Sequence, residues 1–416
     1  MRIRLSSPPT GGTIGAIPSK SAAHRYLICG ALAKGKSLIT AESTSADIDA
    51  TVRCLRALGA RIDRDNGRFF VEGIDMSISA PVLECGESGS TLRFLFPVAA
   101  ALQGGEFKTE GRLSLRPMDD LVCAAEMHGA RVERHGDRIT VTGGMKGGEF
   151  LISGGLSSQF VSGLLLALPL CGGGSVCLTD KLMSAGYVDM TVEAMEKFGV
   201  TVETFENGFF VPAGSFYRPC DVPVPGDWSN AAFWLASGVR VKGLDPHSPQ
   251  GDKAICGILE NMGAKSDLNA DGLAFEGLDA LHGVEVDAND IPDAVPVISI
   301  LCAAASGNSV IYGIGRLRLK ESDRVRSVSD MLDSLGADFA AEDDRFVIKG
   351  RGGLLDGGEI DSANDHRIAM AAAAARYYCK GDVTVSGAEA VAKSYPDFWK
   401  DYIKLGGQAD VIYSGQ

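Results

Sequence analysis

Apolar positions along this 416-residue chain fall into a pattern that returns six times. Each copy opens with apolar residues at helical spacing, such as Ile48, Val52 and Leu55, or Val328, Met331, Leu332 and Leu335. It then reaches a glycine and switches to alternation, as in Ala60-Arg61-Ile62-Asp63, the mark of a strand with one face covered. The glycines are Gly59, Gly129, Gly199, Gly263, Gly336 and Gly406, spaced by 70, 70, 64, 73 and 70 residues. Each is placed to supply the left-handed backbone that ends a helix. Asp65-Asn66-Gly67, Glu206-Asn207-Gly208 and Ala270-Asp271-Gly272 are hairpin turn signals. Every copy therefore predicts helix, strand, hairpin and strand, with a more variable half between copies. One α/β unit of about 70 residues is used six times, the sixth (IKLGGQADVI) being cut short by the C-terminus.

A chain of this length exceeds one compact core. The sharpest break in composition is the proline-rich run Asp221-Val222-Pro223-Val224-Pro225-Gly226-Asp227, with three copies on either side. Two similar domains are expected, residues 18–226 and residues 227–416. The segment before Pro18 (residues 1–17) is assigned to the second.

Composition adds exclusions. Hydrophobic residues at 45% and charged residues at 22% describe an ordinary soluble protein. The N-terminus lacks the apolar core of a signal peptide. The run Phe160 to Cys171, broken by Ser162, Gly163 and Pro169, reads as a buried helix rather than a membrane span. Ten cysteines without a CxxC pair read as small buried hydrophobes in a reducing cytoplasm, with no metal site. A net charge of −13 argues against nucleic-acid binding, so any bound anion needs a local basic site.

Candidate chemistry lies at the starts of the other helices. Lys20-Ser21-Ala22-Ala23-His24-Arg25 opens one expected over Tyr26 to Leu32, and Gly86-Glu87-Ser88-Gly89-Ser90-Thr91-Leu92-Arg93 opens Phe94 to Leu102. Ser157-Ser158-Gln159 opens Phe160 to Leu168, Asn289-Asp290-Ile291-Pro292-Asp293 opens Val297 to Ala305, and Asn364-Asp365-His366-Arg367 opens Ile368 to Arg376. Serine, asparagine and aspartate there are ordinary caps. Lysine and arginine are not, because the positive end of the dipole prefers acids, and basic residues at a helix start ask for an anion. Lys320-Glu321-Ser322-Asp323-Arg324, taken alone, reads as a solvated, salt-bridged face of one helix.

Together these segments resemble the enolpyruvyl transferases, most closely the branch that acts on shikimate 3-phosphate. SKSAAHR, GESGSTLR, LRPM, SSQF, SAGY, NDIPDA, LKESDR, NDHR and KSYPDF occur in family order across nearly the whole chain. The resemblance implies two domains of three βαβαββ units each, barrel-like with helices inside, joined by two crossover strands. It implies transfer of the enolpyruvyl group of phosphoenolpyruvate to the 5-hydroxyl of shikimate 3-phosphate, with release of phosphate. It further implies no metal or organic cofactor, no nucleic acid or membrane partner, and a cytoplasmic monomer.

By motif match, Lys20, Ser21, Arg25, Ser157, Ser158, Gln159, Ser184, Tyr187, Asp293, Arg316 and Lys320 are implied to bind shikimate 3-phosphate. Lys20, Gly89, Arg116, Gln159, Arg324, Arg367 and Lys393 are implied to surround phosphoenolpyruvate. Asp293 is the candidate base, with Lys20 sharing proton traffic, and Glu321 the candidate acid. A cleft with open and closed forms is implied as well. Three positions depart from the family pattern. Glu87-Ser88 replaces Asn-Ala, Arg316 stands where asparagine is common, and Pro18 precedes Ser19 where glycine is usual. Gly89 is retained, which implies binding of the inhibitor glyphosate. The sister branch acting on UDP-N-acetylglucosamine carries a loop cysteine that Glu110-Gly111-Arg112-Leu113-Ser114 lacks, while Cys123 reads as packing. A DNA sliding clamp, also acidic and repetitive, would spread its lysines and arginines over the repeated helices instead.

Overall fold

Six helices end in the same way. They are Ala46–Ala57, Asp119–Met127, Ala185–Lys197, Ile255–Asn261, Arg324–Ser334 and Phe398–Lys404. The six repeat glycines follow them with φ between +73° and +107°. In the first, Gly59 N–H donates to Arg56 O and Ala60 N–H to Leu55 O, and the other five repeat this pair of bonds. That is the Schellman pattern, which satisfies carbonyls left over at a helix end and turns the chain into the next strand.

The computed structural model describes residues 1–75 and 81–412. The chain divides into a central unit, Pro18–Pro225, and a split unit, Met1–Ile17 with Gly226–Gln416. Among the described residues each contains three four-stranded sheets of one topology. In the central unit, Val82–Gly86 runs parallel to Gly104–Thr109, which pairs antiparallel with Arg138–Thr142, and Arg131–His135 lies at the edge. Helices Gly89–Ala101 and Asp119–Met127 connect these strands, giving a βαβαββ unit. At the hairpin tip Asn66 (φ 45°) and Gly67 (φ 73°) both take the positive φ that a two-residue primed turn requires.

Three repeats borrow a strand from elsewhere in the sequence. The sixth is not truncated, because Arg2–Ser7 pairs between Val383–Ser386 and Gln408–Val411 and supplies its missing strand. Thr13–Gly15 supplies the first strand of the fourth repeat, parallel to Arg240–Lys242. Val222–Pro223 does the same for the first repeat, beside Lys36–Thr40.

The two helices of each repeat differ in burial. Gly-ended helices such as Arg324–Ser334 keep one polar face, whereas every residue of His366–Ala375 is buried. Trp228–Leu235, which the sequence reading did not anticipate, is likewise buried throughout and capped by Asp227. Phe160 to Cys171 takes in all but the first two residues of buried helix Ser158–Ala167 and a short turn, Leu168–Cys171. Among the described residues no helix is long and apolar enough to cross a membrane.

One contact sets the spacing of two inner helices. Pro97 lies inside Gly89–Ala101 and cannot donate to the Arg93 carbonyl one turn earlier. Gly163 of Ser158–Ala167 packs onto that carbonyl, where an added Cβ would collide with it. The starts of both helices are thereby brought together.

The repeat glycines yield a stability test. A Cβ at Gly59 would stand 2.5 Å from the Asp75 carbonyl oxygen at φ +107°, whereas Gly136 (φ +61°) has nothing within 4 Å. Gly136→Ala should cost about 1–2 kcal/mol, the left-handed penalty alone, and Gly59→Ala distinctly more. Denaturant unfolding of the two variants measures the difference, and equal costs would contradict the steric account.

Candidate active site

In the central unit, contacts link the starts of five helices. Lys20 is the first residue of Lys20–Leu32, and its Nζ lies 2.7 Å from Asp47 Oδ2 in the first turn of Ala46–Ala57. Ser88, Ser157 and Ser19 each cap the helix they precede, leaving the first-turn amides pointing outward. Gln159 donates from Nε2 to Ser90 Oγ at 3.0 Å and accepts from Arg93 Nη1 at 2.7 Å. Arg93 also donates from Nη2 to Pro117 O at 2.9 Å, tying in the turn that carries Arg116. The Arg116 guanidinium lies against Gly89, where a Cβ would meet its Cζ at 3.0 Å. Gly89 is therefore a place where a missing side chain admits a cation.

Arg25 is 2% exposed. Its Nε donates to Thr191 Oγ1 at 2.7 Å, Nη1 to Ser21 O at 2.6 Å and Nη2 to Tyr187 O at 2.6 Å, and the guanidinium lies 4.8 Å from the Phe94 ring centre. Among the described residues none of these partners is a carboxylate. Burial is the main reason its pKa falls to about 10, only partly offset by Tyr187, Cys29 and Tyr26. Arg25 thus fixes Ser21 and Tyr187 from beneath. Ser184, at the start of Ala185–Lys197, holds φ +56° without a side chain cap bond, a conformation uncommon outside glycine and asparagine.

The split unit gathers opposite charges instead. Arg324 is 0% exposed and is met by three carboxylates. Its Nε lies 2.7 Å from Asp365 Oδ2, Nη1 2.6 Å from Asp293 Oδ1 and Nη2 2.9 Å from Glu321 Oε2. Asp293 is met in turn by Arg367 Nη2 at 3.3 Å and Lys320 Nζ at 3.7 Å. Burial alone would raise the Asp293 carboxyl, but Lys320, Arg324 and Arg367 hold it well below the usual carboxylate range. Asp365 caps His366–Ala375 by accepting Arg367 N–H at 2.9 Å and receives Ser322 Oγ at 3.1 Å. Lys393 Nζ donates to Asn364 O at 2.6 Å, and Asn364 and Ala363 both have positive φ. Arg316 Nη2 donates to Asn289 O at 2.6 Å.

Several expectations change. Lys320 and Arg324 do not share a helix, because Asp323 caps Arg324–Ser334 and Lys320 ends the preceding turn Gly315–Leu319. The segment is not a solvated face, since Arg324 is buried. Cys123 is exposed rather than packed, and of the ten cysteines Cys29, Cys54, Cys85, Cys302 and Cys379 are buried. Lys20, Gly89, Arg116, Ser157, Ser158 and Gln159 lie in one connected set of helix starts, with Ser21, Arg25, Ser184 and Tyr187 linked through Arg25. Asp293, Glu321, Lys320, Arg324 and Arg367 form the second set; Lys393 and Arg316 hold neighbouring loop carbonyls. Asp47 was missed, although the spacing of Ser45 and Ile48 at a helix start marked its turn.

A family model for EPSP synthase (3-phosphoshikimate 1-carboxyvinyltransferase) matches residues 7–402. The chain belongs to the EPSP synthase family. It is 38% identical over 412 residues to a 3-phosphoshikimate 1-carboxyvinyltransferase of Clostridium kluyveri, covering 96% of each chain. One from Methanocorpusculum labreanum is 38% identical over 418 residues, covering 98% of this chain and 99% of that one. EPSP synthase from Acinetobacter baumannii superposes with TM-score 0.80 at 27% identity, over 99% of this chain and 100% of that one. The enolpyruvyl transferase NikO from Streptomyces tendae shares the fold, with TM-score 0.78 at 18% identity over 98% of both chains. The α/β architecture of repeated units is thus the family's.

The buried Arg324 network sets a second test. Removing Asp365, which is 0% exposed, takes one of three carboxylates from a buried cation and the cap from His366–Ala375, and losses of a buried partner run to roughly 3–5 kcal/mol. Glu321 is 23% exposed and caps no helix, so Glu321→Gln should cost less than Asp365→Ala. Chemical denaturation of Asp365→Ala and Glu321→Gln should show that order.

Proposed function

We propose that this enzyme joins the enolpyruvyl group of phosphoenolpyruvate to the 5-hydroxyl of shikimate 3-phosphate and releases phosphate, a step of the shikimate pathway to aromatic amino acids. The observation that carries the reading is the grouping of cation-bearing helix N-termini in each unit of an EPSP synthase family chain. The two substrates bring about five to six negative charges. The central unit offers Lys20 and Arg116 with the outward amides at Gly89 and Ser158, suited to phosphate oxygens. Ser21, Ser157, Gln159, Ser184 and Tyr187 complete its side toward shikimate 3-phosphate, with Arg25 acting by fixing Ser21 and Tyr187. The split unit offers Lys320, Arg324, Arg367 and Lys393, of which the arginines suit carboxylate by their planar forks.

The chemistry is an addition followed by an elimination. The 5-hydroxyl loses a proton as its oxygen bonds to C2 of phosphoenolpyruvate, while the methylene carbon gains a proton and becomes methyl. Loss of a methyl proton then re-forms the double bond as phosphate departs. We assign the first base to Asp293, which its three cations keep ionised, with Lys20 sharing proton traffic. Glu321 is assigned the proton at carbon. These are proton transfers and a phosphate departure, so the reaction needs no metal or organic cofactor. We place the enzyme in the cytoplasm as a monomer.

Phosphate release from phosphoenolpyruvate, measured separately with shikimate 3-phosphate and with UDP-N-acetylglucosamine, tests the reading. Turnover is expected only with the first, and turnover only with the second would move the chain to the sister branch. Glu321→Gln should slow exchange of solvent deuterium into the methylene group; a wild-type rate would remove Glu321 from that role.

Gly89→Ala provides a site-level check. The added Cβ must displace the Arg116 guanidinium, yet the backbone there needs no positive φ. KM for phosphoenolpyruvate should rise about tenfold, roughly 1.4 kcal/mol, with unfolding stability unchanged. A rise in KM for shikimate 3-phosphate alone would reverse the assignment of Gly89.

A further inference from the structure

Beneath the Lys20 and Gly89 helix starts, a line of polar side chains crosses the apolar core of the central unit. His24, Thr51 and Thr91 are 0% exposed and Ser88 is 1% exposed. His24 Nδ1 lies 2.7 Å from Thr51 Oγ1, which lies 2.7 Å from Thr91 Oγ1, and Thr91 Oγ1 donates to Ser88 Oγ at 2.7 Å. Thr91 Oγ1 also lies 3.4 Å from the carbonyl of Asp47, the residue whose carboxylate holds Lys20. The line joins three helices, Lys20–Leu32, Ala46–Ala57 and Gly89–Ala101.

Hydroxyls buried among apolar side chains are costly unless bonded, and a bonded run of them fixes the groups it connects. Here the run has a direction. His24 Nε2 has no hydrogen-bond partner among the described residues, and the ring meets Phe94 edge-on with centres 6.3 Å apart. A buried N–H without an acceptor is rarer than an acceptor without a donor, which assigns the proton to Nδ1. His24 then donates to Thr51, Thr51 to Thr91 and Thr91 to Ser88. Burial first, and then Lys20 and Arg25, hold the imidazole well below its ordinary pKa, so it stays neutral and the direction persists. Ser88 Oγ, the last acceptor, also receives Thr91 N–H at 3.3 Å as the cap of the helix that begins with Gly89.

We propose that His24, Thr51 and Thr91 are positioning residues for phosphoenolpyruvate, locking the Gly89 helix start to the helix that carries Lys20. The proposal rests on the reading of Lys20 and Gly89 as phosphoenolpyruvate ligands. None of the three touches substrate; they act by holding Ser88 and Asp47, which in turn set where the Gly89 amide and the Lys20 ammonium stand.

Thr91→Val removes the hydroxyl and keeps the shape of the side chain. It should raise KM for phosphoenolpyruvate about tenfold, with a smaller rise for shikimate 3-phosphate because Lys20 is read as facing both substrates while Gly89 and Arg116 face only the first, and Thr91→Ser should restore the wild-type values. Thr51→Val should give the same rise, and the double variant no more than either alone, because each cut breaks the same line. If Thr91→Val does not fold, Thr51→Val with Thr51→Ser as its control carries the same comparison. Nitrogen-15 NMR of the folded enzyme gives a readout apart from turnover, with His24 as the Nδ1–H tautomer in wild type and a mixture of tautomers in Thr51→Val. An unmoved KM for phosphoenolpyruvate, an equal rise for both substrates, or no rescue by serine would overturn the positioning role alone. Wild-type enzyme with no turnover of the two substrates would overturn the substrate reading, and the proposal with it.

Discussion

A helix buried on every face can meet ligand only at its ends. In the central unit the helices Gly89–Ala101 and Ser158–Ala167 present Phe94, Leu95, Phe96, Leu164 and Leu165 to the core. Functional groups are therefore confined to their first turns. The N-terminal turn is also where amides lack helix partners and the dipole is positive. Burial of the helix bodies and the outward amides at their starts are two results of the same packing. Gly163 against the Arg93 carbonyl brings two of those starts close enough for Gln159 to bond Ser90 and Arg93.

Charge burial is handled differently in the two units. Arg25 is surrounded by two hydroxyls, two carbonyls and the Phe94 ring, and its charge is stabilised by dipoles. Arg324 is surrounded by carboxylates that are themselves shared with other cations. The first arrangement fixes the backbone at Ser21 and Tyr187. The second is an alternating network in which any change of protonation shifts the balance at its neighbours.

Local features were legible in the sequence. The six glycine ends and the hairpin turns follow from short-range backbone preferences, and the repeat period exposed them. What failed was non-local. That Arg2–Ser7 completes the sixth repeat depends on a pairing between opposite ends of the chain, which no window of sequence contains. The one-helix reading of Lys320 to Arg324 failed because Asp323 caps the helix between them, and charge spacing outweighed that cap. Cys123 was misplaced although the signal for it was local. Leu121, Ala124 and Ala125 define the buried side of Asp119–Met127, and position 123 falls opposite. The candidate residues were found as motifs, but their partners, Thr191 for Arg25 and Asp365 for Arg324, lie 166 and 41 residues away.

The Arg324 network also bears on which carboxyl can carry a proton to carbon. Asp365 accepts from the Arg367 amide, Ser322 and Arg324 together, so protonating it would loosen a helix cap and a buried ion pair at once. Asp293 faces three cations and stays ionised. Glu321 holds Arg324 through one oxygen and is the most exposed of the three side chains, at 23% against 20% and 0%. Of the three, Glu321 is thus the carboxyl whose protonation disturbs neither a helix cap nor a group facing three cations, which is the argument for the carbon acid proposed above.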